Sequence, residues 1–248
     1  MTRFHREYIT CAHCLNEEEI VIWDLINIGE DPDLEEKVLL KQLQNYECQN
    51  CNHLYIIERP MLYIDPANKL LLYYSPAHTE ITAAENRRAD GRLSDELAAQ
   101  LPQDFGVDLE GYMLRLLVSY NDLIEKIHIR KNALSDRLLE TLKLAILARL
   151  NEAAAAEAAE IKDLSEEELL PVMASLEVSE IHFLGLEGDS LLFQTFSEAK
   201  GWQQLELERS VYDNAENMLR SLLPAESGWD LVDSSSAATF INFVSQAQ

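Results

Sequence analysis

The sequence predicts an α+β protein in successive parts: a small cysteine-bearing β unit with an inserted helix, central amphipathic helices, and a small α+β unit at the C-terminal end. Three observations lead there. All four cysteines fall in the first 51 residues, as two C-x-x-C pairs. Apolar residues then recur with the 3.6-residue helical period over the middle of the chain. Near the end, a Gly-Asp turn joins two apolar runs, and a segment of strict apolar–polar alternation follows.

Met1–Thr10 carries charge but no apolar stretch of the kind a secretory leader needs. The first pair, Cys11-Ala12-His13-Cys14, comes next. Glu19–Asn27, rich in Ile and Val with one Trp, reads as a strand. Asp31-Pro32-Asp33 opens a helix, with Asp31 as N-cap, Pro32 in the first turn and acids at the positive end of the dipole. Leu34, Val38 and Leu39 continue one face as far as Leu43. Tyr46-Glu47 leads into the second pair, Cys48-Gln49-Asn50-Cys51. Leu54–Arg59 and Pro60–Ile64 read as strands, Asp65-Pro66-Ala67-Asn68 as a turn and Lys69–Tyr74 as the returning strand.

A two-residue gap lets both thiolates of a tight turn face one ion, and two such turns supply the four sulfurs of a tetrahedral zinc site. The expected ligands are therefore Cys11, Cys14, Cys48 and Cys51, with zinc as a structural cofactor. The rival readings are a redox dithiol, free buried cysteines and an iron or iron–sulfur site. A redox pair works alone at a helix N-terminus after a strand, whereas both pairs here are flanked by strand-like segments. His13 and His53 are alternative ligands for a mixed site. Four thiolates already fill the shell, so both are read as neighbours of the site or surface residues. Asn16 and Asn52 stand near the positions where such turns need positive φ, which Asn tolerates. The result is a zinc-ribbon-like β unit with a helix between its two knuckles.

The two C-x-x-C turns, the stretch Trp23-Asp24-Leu25-Ile26-Asn27 followed by Asp31-Pro32-Asp33-Leu34, and Leu62-Tyr63-Ile64-Asp65-Pro66 resemble the bacterial CpXC proteins, named for their paired cysteine motifs. The resemblance spans residues 1–76 and continues in Arg115-Leu116-Leu117-Val118 and Leu123-Ile124-Glu125-Lys126-Ile127. The family name implies Pro after the first cysteine of a pair, where this chain has Ala12 and Gln49. The sulfur ligands are untouched by that departure, but the turns lose a rigid residue. The resemblance implies a metal-binding module of unknown biochemical role, with no reaction and no substrate.

Residues 77–107 read as a linker, with a polar loop at Asn86–Arg92 and a short helix Asp95–Leu101 capped by Ser94 and stopped by Pro102. Residues 108–176 read as helical. Leu109, Tyr112, Met113, Leu116, Leu117, Tyr120, Leu123, Ile124 and Ile127 suggest one amphipathic helix, Leu109–Ile129. After a break at Asn132 and Ser135, a second helix runs from Ser135 to Ile161. Its leucines spread round most of the circumference, as in a helix buried on several sides. Ser165-Glu166-Glu167-Glu168 fits a capping box for a further helix to Leu176. Residues 177–248 read as the small α+β unit. It contains a hairpin Glu180–Leu186 and Ser190–Phe196, a strand Trp202–Arg209, a helix capped by Asp213 and Glu216, and final strands Trp229–Val232 and Thr239–Val244.

The formal net charge is −24, from 44 acidic and 20 basic residues, and no basic run offsets it. Such a surface repels phosphate backbones, so nucleic acid is not the expected partner, and residues 1–76 themselves hold more acids than bases. No apolar run reaches the ~20 residues a membrane span needs. Reduced thiols and the missing leader point to the cytoplasm. No phosphate loop, nucleophile elbow, G-x-G-x-x-G or H-E-x-x-H is present. His128 and His182 read as packed or surface histidines. The leading expectation is a non-enzymatic, zinc-stabilised protein that meets a protein partner or a second copy of itself. The alternatives are an enzyme without a linear signature, with His182 and acidic residues as its candidates, and a nucleic-acid-associated zinc ribbon.

Overall fold

The computed structural model describes residues 1–76, 88–89, 92–101, 108–161, 165–226 and 228–246, the side chains of 166–168 excepted. The fold is α+β. In chain order the first elements are β1 (Arg3–Thr10), β2 (Glu17–Asn27), α1 (Asp33–Leu39), β3 (Asn45–Glu47), β4 (Leu54–Ile56), β5 (Met61–Asp65), β6 (Leu70–Tyr74), α2 (Asp95–Ala98), β7 (Met113–Leu117) and α3 (Tyr120–Lys131). Then come α4 (Asp136–Ala159), α5 (Glu166–Leu176), β8 (Glu180–Glu187), β9 (Ser190–Ser197), β10 (Gly201–Glu208), α6 (Arg209–Leu219), β11 (Trp229–Asp230) and α7 (Ser234–Gln246). The sequence suggests four consecutive segments. The described residues instead form two discontinuous units, one within Met1–Asn86, Leu93–Ile124 and Glu226–Leu231, the other within Arg87–Arg92, Glu125–Ala225 and Val232–Gln248.

The first unit is a mixed sheet in the order β1-β2-β5-β6-β7-β11, with the ribbon β3–β4 beside it. Strands β5, β6 and β7 are buried on both faces, which is why they read as unbroken apolar runs rather than as alternation. Leu62, Ile64, Leu71, Leu114, Leu116 and Trp229 form one apolar layer, closed by Leu93 and Leu101 around α2. Ser94 starts α2 as expected, its Oγ accepting from the Leu97 N–H. On another side, the Tyr120 hydroxyl donates to the Val38 carbonyl and Tyr120 packs edge-on against Tyr74. Arg115, in the middle of β7, is fully buried; both its terminal nitrogens donate to Glu226 at 2.8 Å.

In the second unit the sheet β10-β9-β8 is antiparallel throughout. Ile181, Phe183, Leu191 and Phe193 pack against Leu138, Leu139 and Leu142 of α4 and Tyr212 of α6. The Tyr212 hydroxyl accepts the Ser135 N–H at the start of α4, so α6 also fixes that helix end. Ser135, where the second helix is expected to begin, is its N-cap, the Oγ accepting from the Leu138 N–H. α4 buries charge as well as leucine. Lys126 of α3 meets Glu140 Oε1 at 2.8 Å and Asp136 at 3.8 Å. Lys143 meets Glu125 Oε1 at 2.8 Å and Glu140 Oε2 at 3.1 Å. All five side chains are under a tenth exposed.

Several expected elements differ. Leu109–Ile129 is not one helix: Met113–Leu117 is strand β7, parallel to β6, and the helix begins only at Tyr120. The five-residue apolar run fits both periods, and Gly111 at φ +75 breaks the backbone before it. Thr239–Val244 lies in helix α7 rather than a strand. Asp233 Oδ1 accepts the Ser236 N–H while Ser236 Oγ accepts the Asp233 N–H, a reciprocal cap that starts the helix. α1 ends at Leu39 and makes no side-chain cap with Asp31, whose carbonyl instead accepts from Leu34 N–H. α6 starts at Arg209, four residues before the expected cap, and Asp213 pairs with Arg209 at 3.0 Å. The loop Asn86–Arg92 falls largely outside the described residues, as do Pro102 and the side chains of Glu166, Glu167 and Glu168 in the expected capping box. The hairpin β8–β9, the strand β10 and the pair β5–β6 form where the pattern places them.

Two outcomes follow from the buried charges. Glu140→Gln leaves two buried ammonium groups short of their shared carboxylate, and the denaturant midpoint should fall by an amount equivalent to about 3–5 kcal/mol. Burial opposes ionisation of Glu125, but the charge of Lys143, the neighbouring His182 and the charge of Lys126 outweigh it and hold the carboxyl down at about 2. Its folded value lies below the unfolded 4.5. Stability from this group is therefore complete above pH 4.5 and is lost as pH falls toward 2, which urea midpoints measured across that window should show.

Candidate metal centre

Both cysteine pairs sit on turns at the ends of two-stranded ribbons. The first joins β1 to β2, and the second joins β3 to β4. The two turns share one hydrogen-bond pattern. Cys11 N–H donates to the Asn16 carbonyl, and the Cys11 carbonyl accepts from Leu15. Likewise Cys48 N–H donates to the His53 carbonyl, and the Cys48 carbonyl accepts from Asn52. The fifth residue of each turn is left-handed: Leu15 at φ 61 and Asn52 at φ 56. The expected Asn is thus found at position 52, but the first turn uses Leu15 and not Asn16. A leucine there gains nothing by packing, since it is 76% exposed.

The inner side of each ribbon holds the turns together. Tyr46 and Tyr55 stack, the Tyr46 hydroxyl donates to the Val21 carbonyl, and the Tyr55 hydroxyl donates to Glu18. These tie β3–β4 to β2 and bring the second knuckle to the first. Cys11 and Cys48 are buried, Cys14 and Cys51 partly so. Sγ of Cys11 lies 3.7 Å from Sγ of Cys51, and Sγ of Cys14 lies 3.6 Å from Sγ of Cys48. All four sulfurs are within 4.8 Å of one another.

These separations fit a tetrathiolate. With metal–sulfur bonds of about 2.3 Å, the edge of a sulfur tetrahedron is about 3.8 Å. The thiols also differ in their ionisation. Hydrogen bonds from the Asn50 side chain and the Asn16 backbone lower Cys14 to about 6. Burial pushes Cys48 up. At Cys51 the His53 N–H pulls downward, but burial and the neighbouring thiols prevail and raise it to about 12. Cys14 therefore ionises before Cys48 and Cys51, and a cation must displace protons from those two, so uptake depends on pH. His13 and His53 are exposed, with ring centroids 5.4 Å apart, and neither belongs to the cluster.

His182, read from sequence as a packed or surface histidine, stands 3.6 Å from Glu125 and 3.2 Å from Glu180. The i, i+2 spacing of Glu180 and His182 on one face of β8 was the available sign; Glu125 lies 57 residues earlier, and no local pattern links the two.

The model of the family described as CpXC protein matches residues 9–143, more than half of the chain, and the chain belongs to that family. Neither a curated protein nor a solved structure matches it. The matched region contains both cysteine turns and every element from β2 to α3, as the resemblance in Trp23–Leu34, Leu62–Pro66 and Arg115–Ile127 implies.

Because Leu15 is exposed and left-handed, Leu15→Gly should raise the urea midpoint by an amount worth about 1 kcal/mol without altering metal content. Leu15→Val, β-branched at the same φ, should lower it.

Proposed function

We propose that this chain is a zinc-stabilised interaction protein with no reaction of its own. The observation that carries the reading is the convergence of four sulfurs within 4.8 Å, from two turns whose facing cysteines are 34 and 40 residues apart in sequence. Four thiolates complete a tetrahedral shell and leave no position for water or substrate, which makes the metal a structural one. Zinc suits the set because it is borderline-soft and has no redox chemistry of its own.

The partner is another protein or a second copy of the chain, and the compartment is the cytoplasm, where thiols stay reduced. Support comes from the surface about the knuckles. Tyr8, Leu15, Leu54 and Ile56 are each at least 68% exposed, and Leu54 and Ile56 share the outer face of β4. Isolated apolar side chains are ordinary on a surface, but a group of large ones around a rigid metal turn suits an interaction site. The charge of −24 favours a basic partner over a nucleic acid. Among the described residues, no helix is long and apolar enough to cross a membrane.

Metal content of protein purified under reducing conditions, by plasma mass spectrometry, tests the central claim. One zinc per chain is expected, lost together with cooperative unfolding in Cys48→Ser. Metal-free protein with four titratable thiols sinks it. Sedimentation of wild type and Ile56→Glu tests the interaction half: concentration-dependent association or binding to a basic partner should weaken in the variant.

A further inference from the structure

We propose that Glu125 and His182 form a second cation site, separate from the cysteines, that holds one divalent first-row ion between a carboxylate oxygen and an imidazole nitrogen. Glu125 Oε2 and His182 Nδ1 are both buried and make no hydrogen bond, although Glu125 as a whole is only 2% exposed. They face each other at 3.6 Å. That is too long for a hydrogen bond. It is the separation of two ligand atoms each about 2.1 Å from a common ion, subtending an angle of about 120°.

The remaining atoms of both groups are already engaged as a ligand's must be. Glu180 Oε2 lies 3.2 Å from His182 Nε2 and is placed to accept that ring proton, so that in the ion-bound form Nδ1 turns its lone pair to the ion. Lys143 Nζ donates to Glu125 Oε1 at 2.8 Å and fixes the orientation of the carboxylate. Trp202 lies beside the imidazole, ring centroids 5.9 Å apart and planes tilted by 40°.

Charge favours a cation here despite the two lysines. Glu125, Asp136, Glu140 and Glu180 outnumber Lys126 and Lys143 by two. Arg137, next to Asp136, lines a separate cleft with Thr141, Pro224 and Phe240. The mixed nitrogen–oxygen donor pair selects zinc or a similar ion over calcium or magnesium, which take oxygen only. The competing state of the same pair is a protonated His182 in direct contact with Glu125.

The test uses the full chain with its thiols first occupied by one zinc, shown by their protection from a thiol reagent, then titrated calorimetrically with zinc chloride. The expected result is a second zinc per chain. It should be abolished in His182→Gln, and Glu180→Gln should weaken it roughly 10–100-fold through loss of the ring's supporting hydrogen bond. Nitrogen NMR of the wild type should show Nδ1 metallated and Nε2 protonated. A wild-type chain that takes up no second ion overturns the assignment, as does a second ion retained in His182→Gln. Should His182→Gln fail to fold, Glu180→Gln at its half-exposed position decides alone, and unchanged affinity there rejects the site.

Discussion

Four thiol sulfurs within 4.8 Å of one another cannot all ionise in each other's field without a cation to balance them. That constraint organises the N-terminal part of the first unit. It joins a long hairpin, β1–β2, to a three-residue ribbon, β3–β4, which is too short to be stable alone. The stacked Tyr46 and Tyr55 and their hydrogen bonds to β2 position the ribbon. The sulfurs of the two turns then meet at its tip. Because both knuckles use the same hydrogen bonds and the same left-handed fifth residue, the site is close to two-fold in its backbone even though its sequences, CAHCLN and CQNCNH, share only the cysteines in register.

The second unit answers the same problem of charge in a confined space with side chains alone. Lys126 and Lys143 are threaded between Asp136, Glu140 and Glu125, with each ammonium placed against at least two carboxylates. Such a cluster is weak as a source of net stability, since desolvation consumes most of the attraction. It is strong as a constraint on geometry, because any slip of α4 against α3 would strand a buried charge. The apolar contacts of Leu138, Leu139 and Leu142 with the sheet hold α4 from another side. Together they explain a helix whose leucines seem to point everywhere: one face meets the sheet, and the polar residues among them are buried too.

The elements readable from sequence are those whose signal is local. The C-x-x-C spacing, the Gly188–Asp189 turn, the alternation in β10 and the cap Ser94 each lie within a few residues of the structure they specify. Errors arose where one pattern served two structures. Met113–Leu117 sits at positions compatible with a helix, and only its pairing with Leu70–Tyr74 and with Trp229–Asp230 makes it a strand. Thr239–Val244, expected as a final strand, is helical because a reciprocal cap just upstream starts α7.

The sequence by itself determined the four candidate ligands, the α+β class and the membership signalled by Trp23–Leu34 and Leu62–Pro66, because these depend on residue type and short spacing. Tertiary structure alone decided that the four sulfurs meet, that Leu15 and not Asn16 takes the left-handed position, and that Glu125 finds His182 across 57 residues. The sulfurs meet because Tyr46 and Tyr55 tie the second ribbon to β2, and Glu125 reaches His182 only through the fold, so this long-range geometry leaves no trace in any window of the chain.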